Sequence, residues 1–383
     1  MRQIAERLRA TLRPGDDLAR LDSGAHTAAR LGGDEFVALL EPLRRPEDAT
    51  AVAQRLLDAL AAPYLIAGQE VCSTVSIGIV TSERADRDPE ALLRDADTAM
   101  YEAKRRGRAR YVVFSADMYE RVRQALDLEA DLRRALRTPG EIFVVYQPIV
   151  DLLTGRVEGV EALARWNHPT RGPVPPVEFI PLAEENGLIA ELGEHVLITA
   201  CSDAATWRER WGSEAPATVS VNLSRAQIRK GKLPARVAAI LAQTGLPANA
   251  LRLEITESLA MQDPQMVATL HELRALGVSL ALDDFGTGYS SLASLDQLPL
   301  DAVKIDRSFV QRMVGDKYQT ALIEATLKVA QSLQLQVVAE GVETEEQLGV
   351  LRRAGCTLAQ GWLFGRPVPA PDFAALQGVA AGH

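Results

Sequence analysis

From residue 141 onward, short apolar runs alternate with stretches whose apolar positions recur at helical spacing. The runs are IFVVYQPIVD, VEGVEALARW, ATVSVNLS, ALRLEITES, VSLALDDFG, AVKID, QVVAEGV and LAQGWLF, mostly with a helical stretch between them. Eight such strands in about 240 residues predict an α/β fold of the (β/α)8, TIM-like barrel type. One connection departs from that scheme. Only LLTGR separates Asp151 from Val157, and a crossover between parallel strands needs a dozen or more residues. The first two strands are therefore expected to pair as an antiparallel hairpin, giving a modified barrel with a reversed first strand.

The part before the barrel has its own pattern. An amphipathic helix, RQIAERLRATLR, leads to two short strands around Gly32 and Gly33 in AARLGGDEFVALLE. A helix in PEDATAVAQRLLDALAAP, a strand in EVCSTVSIGIV, a helix in DPEALLRDADTAMYEAKRRG and a strand in ARYVVF follow. This reads as an α/β domain over residues 1–115. ADMYERVRQALDLEADLRRALR (116–137) has helical spacing with charges of both signs and stops at TPG, so it is expected to be a connecting helix. The barrel then occupies 138–383.

Composition narrows the chemistry. The chain has 383 residues and a formal charge of -9, which argues against a nucleic-acid polymer as partner, since phosphate neutralisation needs a basic face. Any phosphate ligand must be met locally. Cys72, Cys201 and Cys356 lie far apart without metal-type spacing, so reduced thiols and a cytoplasmic location are expected. The opening MRQIAERLRATLRPGDDLAR is too charged for a signal peptide. No membrane segment is expected within this chain, and any membrane or sensory region would precede Met1. The five histidines show no spacing suited to zinc. A metal here would be an oxygen-ligand ion such as magnesium or manganese.

In a barrel the active site is built where strands end, so the polar residues interrupting the apolar runs carry the chemistry. They are Glu161, Asn222, Glu254, the adjacent Asp283 and Asp284, Lys304, Glu340 and Gln360, with Gln147 on the reversed first strand. Each has a plain structural alternative. A lone strand-end Glu is usually a solvated rim residue, Asn222 could cap the helix beginning in LSRAQI, and Lys304 could be the ion-pair partner of one carboxylate. Together they are harder to dismiss, because five acids at one mouth repel unless cations sit among them. One or two Mg2+ or Mn2+ ions fit such oxygen ligands. Two ions ~3.5–4 Å apart can hold a phosphoryl group for in-line displacement, and Asp283 is the candidate to touch both.

The motifs EALARW, VNLS, EITE, DDFGTGYSSL, KID, AEGVET and QGWLFGRP, in that order, resemble the EAL family of cyclic di-GMP phosphodiesterases from about residue 138 to near the C-terminus. The resemblance implies a barrel with a reversed first strand and hydrolysis of cyclic di-GMP to linear pGpG. It implies Glu161, Asn222, Glu254 and Asp283 as ligands of one ion, with Asp283 bridging to a second held by Asp284 and Glu340. Lys304 then orients or polarises the attacking water and Glu340 accepts its proton. Gln147 and Arg165, with Leu163 beside them in the same motif and Gln360, match substrate-side positions. Glu257 and Glu343 match residues that anchor the Asp283–Leu292 loop, in which Gly286 and Gly288 permit a change of shape. That loop borders a dimer contact in the family, so a homodimer is expected. The alternative from the binding-module class is a cyclic di-GMP receptor without catalysis.

RLGGDEF resembles the signature of the GGDEF family of diguanylate cyclases. The resemblance implies a nucleotide site for GTP or cyclic di-GMP at Gly32, Gly33, Asp34 and Glu35, with Lys104 and Arg108 as phosphate contacts. Met1 falls beyond that family's first strand and helix, so the domain is expected to lack its beginning and to regulate rather than synthesise. With the missing part present, a bifunctional cyclase and phosphodiesterase is the alternative. RPGD resembles the family's inhibitory RxxD site through Arg13 and Asp16, but LDSGAHTAAR lengthens its distance from the GGDEF turn.

Overall fold

The computed structural model describes residues 2–12, 28–40, 43, 45–66, 69–81, 88–229, 231–256, 264–286 and 298–370. The chain divides into two compact units, Met1–Asp127 and Leu128–His383.

In the second unit eight strands close into a barrel. In chain order they are β1 (Ile142–Asp151), β2 (Val157–His168), β3 (Thr218–Asn222), β4 (Leu251–Thr256), β5 (Ser279–Phe285), β6 (Ala302–Ile305), β7 (Gln336–Ala339) and β8 (Leu358–Gln360). Neighbours from β2 to β8 pair in parallel, whereas β1 pairs antiparallel with both β2 and β8. The reversal follows from the short connection. Asp151 Oδ1 accepts the N–H groups of Leu153 at 2.9 Å and Thr154 at 2.7 Å, closing the turn that LLTGR forms.

Helices packed outside the strands supply the parallel crossovers, among them Ile189–Trp211 before β3, Leu233–Thr244 before β4, Pro264–Ala275 before β5, Lys317–Ser332 before β7 and Glu345–Ala354 before β8. Their apolar faces and the outward residues of the strands form two clusters, one that includes Trp166, Phe179, Leu197, Leu253 and Leu280 and another that includes Ile305, Ile323, Leu327, Leu348 and Leu351. Inside the barrel Ile149, Val338 and Leu358 form a small apolar plug on one side, and the buried polar residues Ser220 and Arg252 lie at the same level on the other. That plug leaves the polar residues one layer higher facing each other. The run LAQGWLF forms a strand only to Gln360. Beyond it Gly361 lies where an added Cβ would stand 2.1 Å from Val342 O, so the backbone turns across β7's exit instead of extending.

In the first unit, hairpin strands Ala28–Gly32 and Glu35–Ala38 flank the Gly33 turn, and helices Arg2–Thr11, Pro46–Ala61 and Pro89–Arg105 appear within the segments expected. EVCSTVSIGIV is not one strand. Gln69–Val71 pairs with Tyr64–Ile66, while Ile77–Ile79 pairs in parallel with Tyr111–Val113. The cause is burial: Cys72 to Thr74 are exposed, and Ile79 reaches an apolar cluster with Ala49 and Ala53. A helix spans Asp117–Ala135. Its Leu128, Leu132 and Ala135 belong to the barrel core, and its Asp131 carboxylate lies 3.0 Å from His168 Nε2.

Candidate active site

The site forms at the carboxyl ends of the parallel strands, where alternation turns every second side chain into the barrel. Register aligns the inward residues: Gln147 opposite Glu161, Asn222 beside Glu254, and Thr256 beside Asp283. At their centre stands Lys304 of β6, 1% exposed. Its Nζ is 2.6 Å from Glu340 Oε1, 2.8 Å from Glu254 Oε2, 3.3 Å from Glu161 Oε2 and 3.5 Å from Asp283 Oδ1. One ammonium thus joins four strands through four carboxylates, rather than pairing with one.

Two amides complete the ring. Asn222 Nδ2 donates to Glu161 Oε1 at 2.8 Å, and Gln360 Nε2 donates to Glu161 Oε2 at 2.7 Å and to Gln147 Oε1 at 3.0 Å. Capping of the helix Arg225–Arg229 falls to Ser224, whose hydroxyl accepts the Gln227 N–H, which frees Asn222 for the ring.

Adjacent residues of a strand face opposite ways, so Asp283 and Asp284 could not both point inward from a regular ladder. The β5–β6 register shifts between Leu282 and Phe285, and Asp284 takes φ +55°. This bulge re-aims the second carboxylate, and ligand oxygens of Asp283, Asp284 and Glu340 come within 4.8 Å of one another. Gly286 continues the bend at φ +97°, where a Cβ would stand 2.7 Å from the Phe309 ring.

Burial and crowding shift these groups strongly. Burial, with Glu161 and Asp283 nearby, pushes Glu254 up to about 8 despite Lys304. Burial, with Asp283 and Glu161, does the same to Glu340, also to about 8. Asp284 is raised by burial and by Asp283. Burial acts to raise Glu161 too, but Lys304, Gln360 and Asn222 hold it below the ordinary range. Burial opposes the charge of Lys304, and the acids around it more than restore it, holding its pKa well above the usual value. The two nearest acids to Lys304 are thus the ones most inclined to keep a proton.

Whether these residues suit a divalent cation is tested by their unpaired atoms. Glu254 Oε1 is fully buried without a hydrogen-bond partner, and the ring holds more carboxylates than one ammonium neutralises. An all-oxygen donor set with a surplus of negative charge fits magnesium or manganese and does not fit a thiolate- or imidazole-preferring metal.

Other sequence candidates fall elsewhere. Arg165 is half-buried on β2, donates to Ala164 O at 2.8 Å, and burial lowers its pKa. Leu163 is half-buried and pairs with Val145 across the hairpin. Glu343 is exposed, and its backbone N–H donates to Gln347 Oε1 at the start of the helix Glu345–Ala354. The structure does not bring Leu163 or Glu343 into the ring of contacts around Lys304. Glu257, Gly288, Arg13 and Asp16 lie outside the described residues. Gly32, Asp34 and Glu35 are exposed at their hairpin, whose Gly33 carbonyl accepts from Arg30 Nε at 3.0 Å, and Lys104 and Arg108 are exposed in the same unit.

Arg252 was not evident from sequence. It lies on β4 two residues before Glu254, is 6% exposed, and bonds Ser279 Oγ at 3.0 Å and Gln336 Oε1 at 2.5 Å. It places a positive charge beneath the acids. An arginine inside an otherwise apolar strand, in phase with Glu254, was the available signal.

Comparison with known proteins agrees with this architecture. The family model described as "EAL domain" matches residues 129–367, and that described as "Diguanylate cyclase, GGDEF domain" matches residues 1–110. The bifunctional diguanylate cyclase/cyclic di-GMP phosphodiesterase MucR of Pseudomonas aeruginosa is 41% identical over 97% of this chain and 53% of its own length. The cyclic di-GMP phosphodiesterase NbdA of the same organism is 40% identical over 96% of this chain and 45% of its own. The chain thus spans about half the length of the curated relatives it matches. The solved structure described as "PaMucR Phosphodiesterase, c-di-GMP complex" superposes with a TM-score of 0.61 at 42% identity, covering 65% of this chain and 99% of that one. The chain belongs to the EAL domain family, and a GGDEF domain segment precedes its barrel.

Proposed function

We propose that the chain is a metal-dependent phosphodiesterase that opens cyclic di-GMP to linear pGpG, with the GGDEF segment in a regulatory role. The reading rests above all on one observation: inward residues of six strands, with Glu340 just past β7, meet through the Lys304 and Glu161 contacts at one barrel mouth, and Gln360 adds Gln147 of β1. The solved MucR complex with cyclic di-GMP supports the substrate class.

Glu161, Asn222, Glu254, Asp283, Asp284 and Glu340 would hold the cations. Bound there, Mg2+ or Mn2+ supplies charge neutralisation at the phosphate and a more acidic water. The chain's own groups do the rest. Lys304 donates to the attacking water and, beside Glu340, sets where that water stands. As the water oxygen bonds to phosphorus, its proton passes to Glu340, whose raised affinity for protons suits a general base near neutral pH. The bond from phosphorus to the 3′ oxygen breaks, and that oxygen leaves as a hydroxyl after taking a proton from solvent. Gln147 and Arg165 bind and orient the diester, the arginine through its fork of donors. Anchoring of the β5 loop by Glu257 and Glu343, self-association as a dimer, a cytoplasmic location and a vestigial nucleotide site in the first unit belong to the same proposal.

The test is incubation with cyclic di-GMP and either ion, with chromatography for pGpG and Glu161→Ala in parallel. Production of pGpG that the substitution abolishes is expected. Binding without cleavage in both ions identifies a receptor instead, and cleavage by the variant removes Glu161 from the site.

A further inference from the structure

Nothing in the carboxylate ring can tell one base from another, because it addresses only a phosphodiester. Selectivity has to come from the rim. Among the described residues, the exposed large apolar side chains include two aromatics, Tyr318 and Trp362, and Trp362, at 58% exposure, follows Gln360 by two positions. Two residues of chain reach at most ~7 Å, so its backbone borders the ring that Gln360 enters.

The turn carrying Trp362 is held on several sides. Val342 N–H donates to Gln360 O at 3.1 Å, Leu363 N–H to Val342 O at 3.0 Å, and Gln147 Nε2 to Gly365 O at 3.3 Å. Gly361 packs against the Val342 backbone, and Phe364 points inward, 6% exposed. A turn this constrained presents its tryptophan outward by construction. The Arg366 guanidinium lies 4.9 Å from the indole centroid and is exposed, and no ion pair among the described residues engages it. Among the described residues the ring is its neighbour and no hydrogen bond engages its fork of donors.

We infer that Trp362 and Arg366 form a guanine-reading clamp on the rim of the barrel mouth, resting on the reading that the substrate is cyclic di-GMP. At 4.9 Å from the centroid the guanidinium leaves ring surface for a base to stack beside it, and a guanidinium lying parallel to the indole would then meet that base edge on. Coplanarity is what a bidentate contact to the O6 and N7 of guanine requires, and arginine is the side chain suited to that edge. Adenine presents a donor in place of O6 and would face the same fork with a mismatch. Stacking on the indole adds affinity without selectivity.

The test compares cyclic di-GMP with cyclic di-AMP and with bis(p-nitrophenyl) phosphate, a diester without bases, for the whole chain and for Arg366→Gln and Trp362→Ala. Arg366→Gln is expected to cut the preference for cyclic di-GMP over cyclic di-AMP by at least about tenfold, and Trp362→Ala to raise KM for both cyclic dinucleotides more than it lowers kcat. Both losses should exceed any loss on the base-free diester at least tenfold, which separates base recognition from damage to the fold. Cyclic di-GMP added with EDTA should quench the emission of the unmodified chain and not that of Trp362→Phe, since Trp166 and Trp207 are buried and the half-buried Trp211 stacks on Trp207 at the end of the helix Ile189–Trp211. Unchanged selectivity in Arg366→Gln, in a chain that does cleave cyclic di-GMP, overturns the clamp. Failure of the unmodified chain to cleave any of the three overturns the hydrolase reading instead.

Discussion

Lys304 Nζ stands 2.6 Å from Glu340 Oε1 inside the barrel, and the same ammonium holds three further carboxylates. The stability of the fold is therefore expected to depend on this lysine. Removing one partner of a buried ionic network leaves the others uncompensated, at a cost of about 3–5 kcal/mol. Lys304→Met should lower urea-unfolding stability by that order in EDTA and abolish hydrolysis. Added Mn2+ should restore more stability to the variant than to the unmodified chain. Equal stability of the two proteins in EDTA would show that the network is not structural.

The raised pKa values of Glu254 and Glu340, each about 8, have a sign that can be checked. Cation binding must displace those protons, so Mg2+ or Mn2+ affinity by calorimetry should climb from pH 6 to about 8 and level off above. In EDTA the contribution of these two acids to stability is present below the ordinary glutamate range and is lost as pH rises through about 8. Glu254→Gln should flatten that loss, leaving the variant the more stable protein at pH 8.5 without metal. A flat affinity profile over the same range would contradict the shifts.

Tyr146 donates to Asp203 Oδ2 at 2.5 Å, joining β1 to the helix Ile189–Trp211 behind it. Tyr146 is fully buried and stacks edgewise on Trp207, with centroids 4.7 Å apart. Tyr146→Phe keeps the ring and removes the hydroxyl, leaving Asp203 short of a donor. A loss of about 1–3 kcal/mol in denaturant unfolding is expected, with metal affinity close to that of the unmodified chain, because the pair lies on the outer side of β1.

Gly361 tolerates no side chain. A Cβ would approach Val342 O to 2.1 Å and Val342 N to 2.3 Å. Gly361→Ala should cost about 1–3 kcal/mol or more and reduce kcat beyond what stability explains, because Gln360 would shift away from Glu161. Unchanged kcat in a folded variant would separate the turn from the ring.

The strands and the reversal of β1 could be read from the chain because both are local. Alternating apolar runs state a period, and five residues between Asp151 and Val157 leave room only for a hairpin. The polar residues that end those runs were legible for the same reason. EVCSTVSIGIV misled because its apolar character says nothing about which part meets a partner, and only Ile77–Ile79 joins a buried neighbour.

What sequence by itself determined is the strand order, the hairpin and the residues eligible for the mouth, since periodicity and connection length act within a few residues of chain. Tertiary structure alone decided how they meet. The bulge that turns Asp284 toward Asp283, the placing of Lys304 among four acids and the positive charge of Arg252 beneath them depend on closure of the barrel. Closure brings together residues far apart in the chain and sets their distances and burial, and through those the charges they can hold.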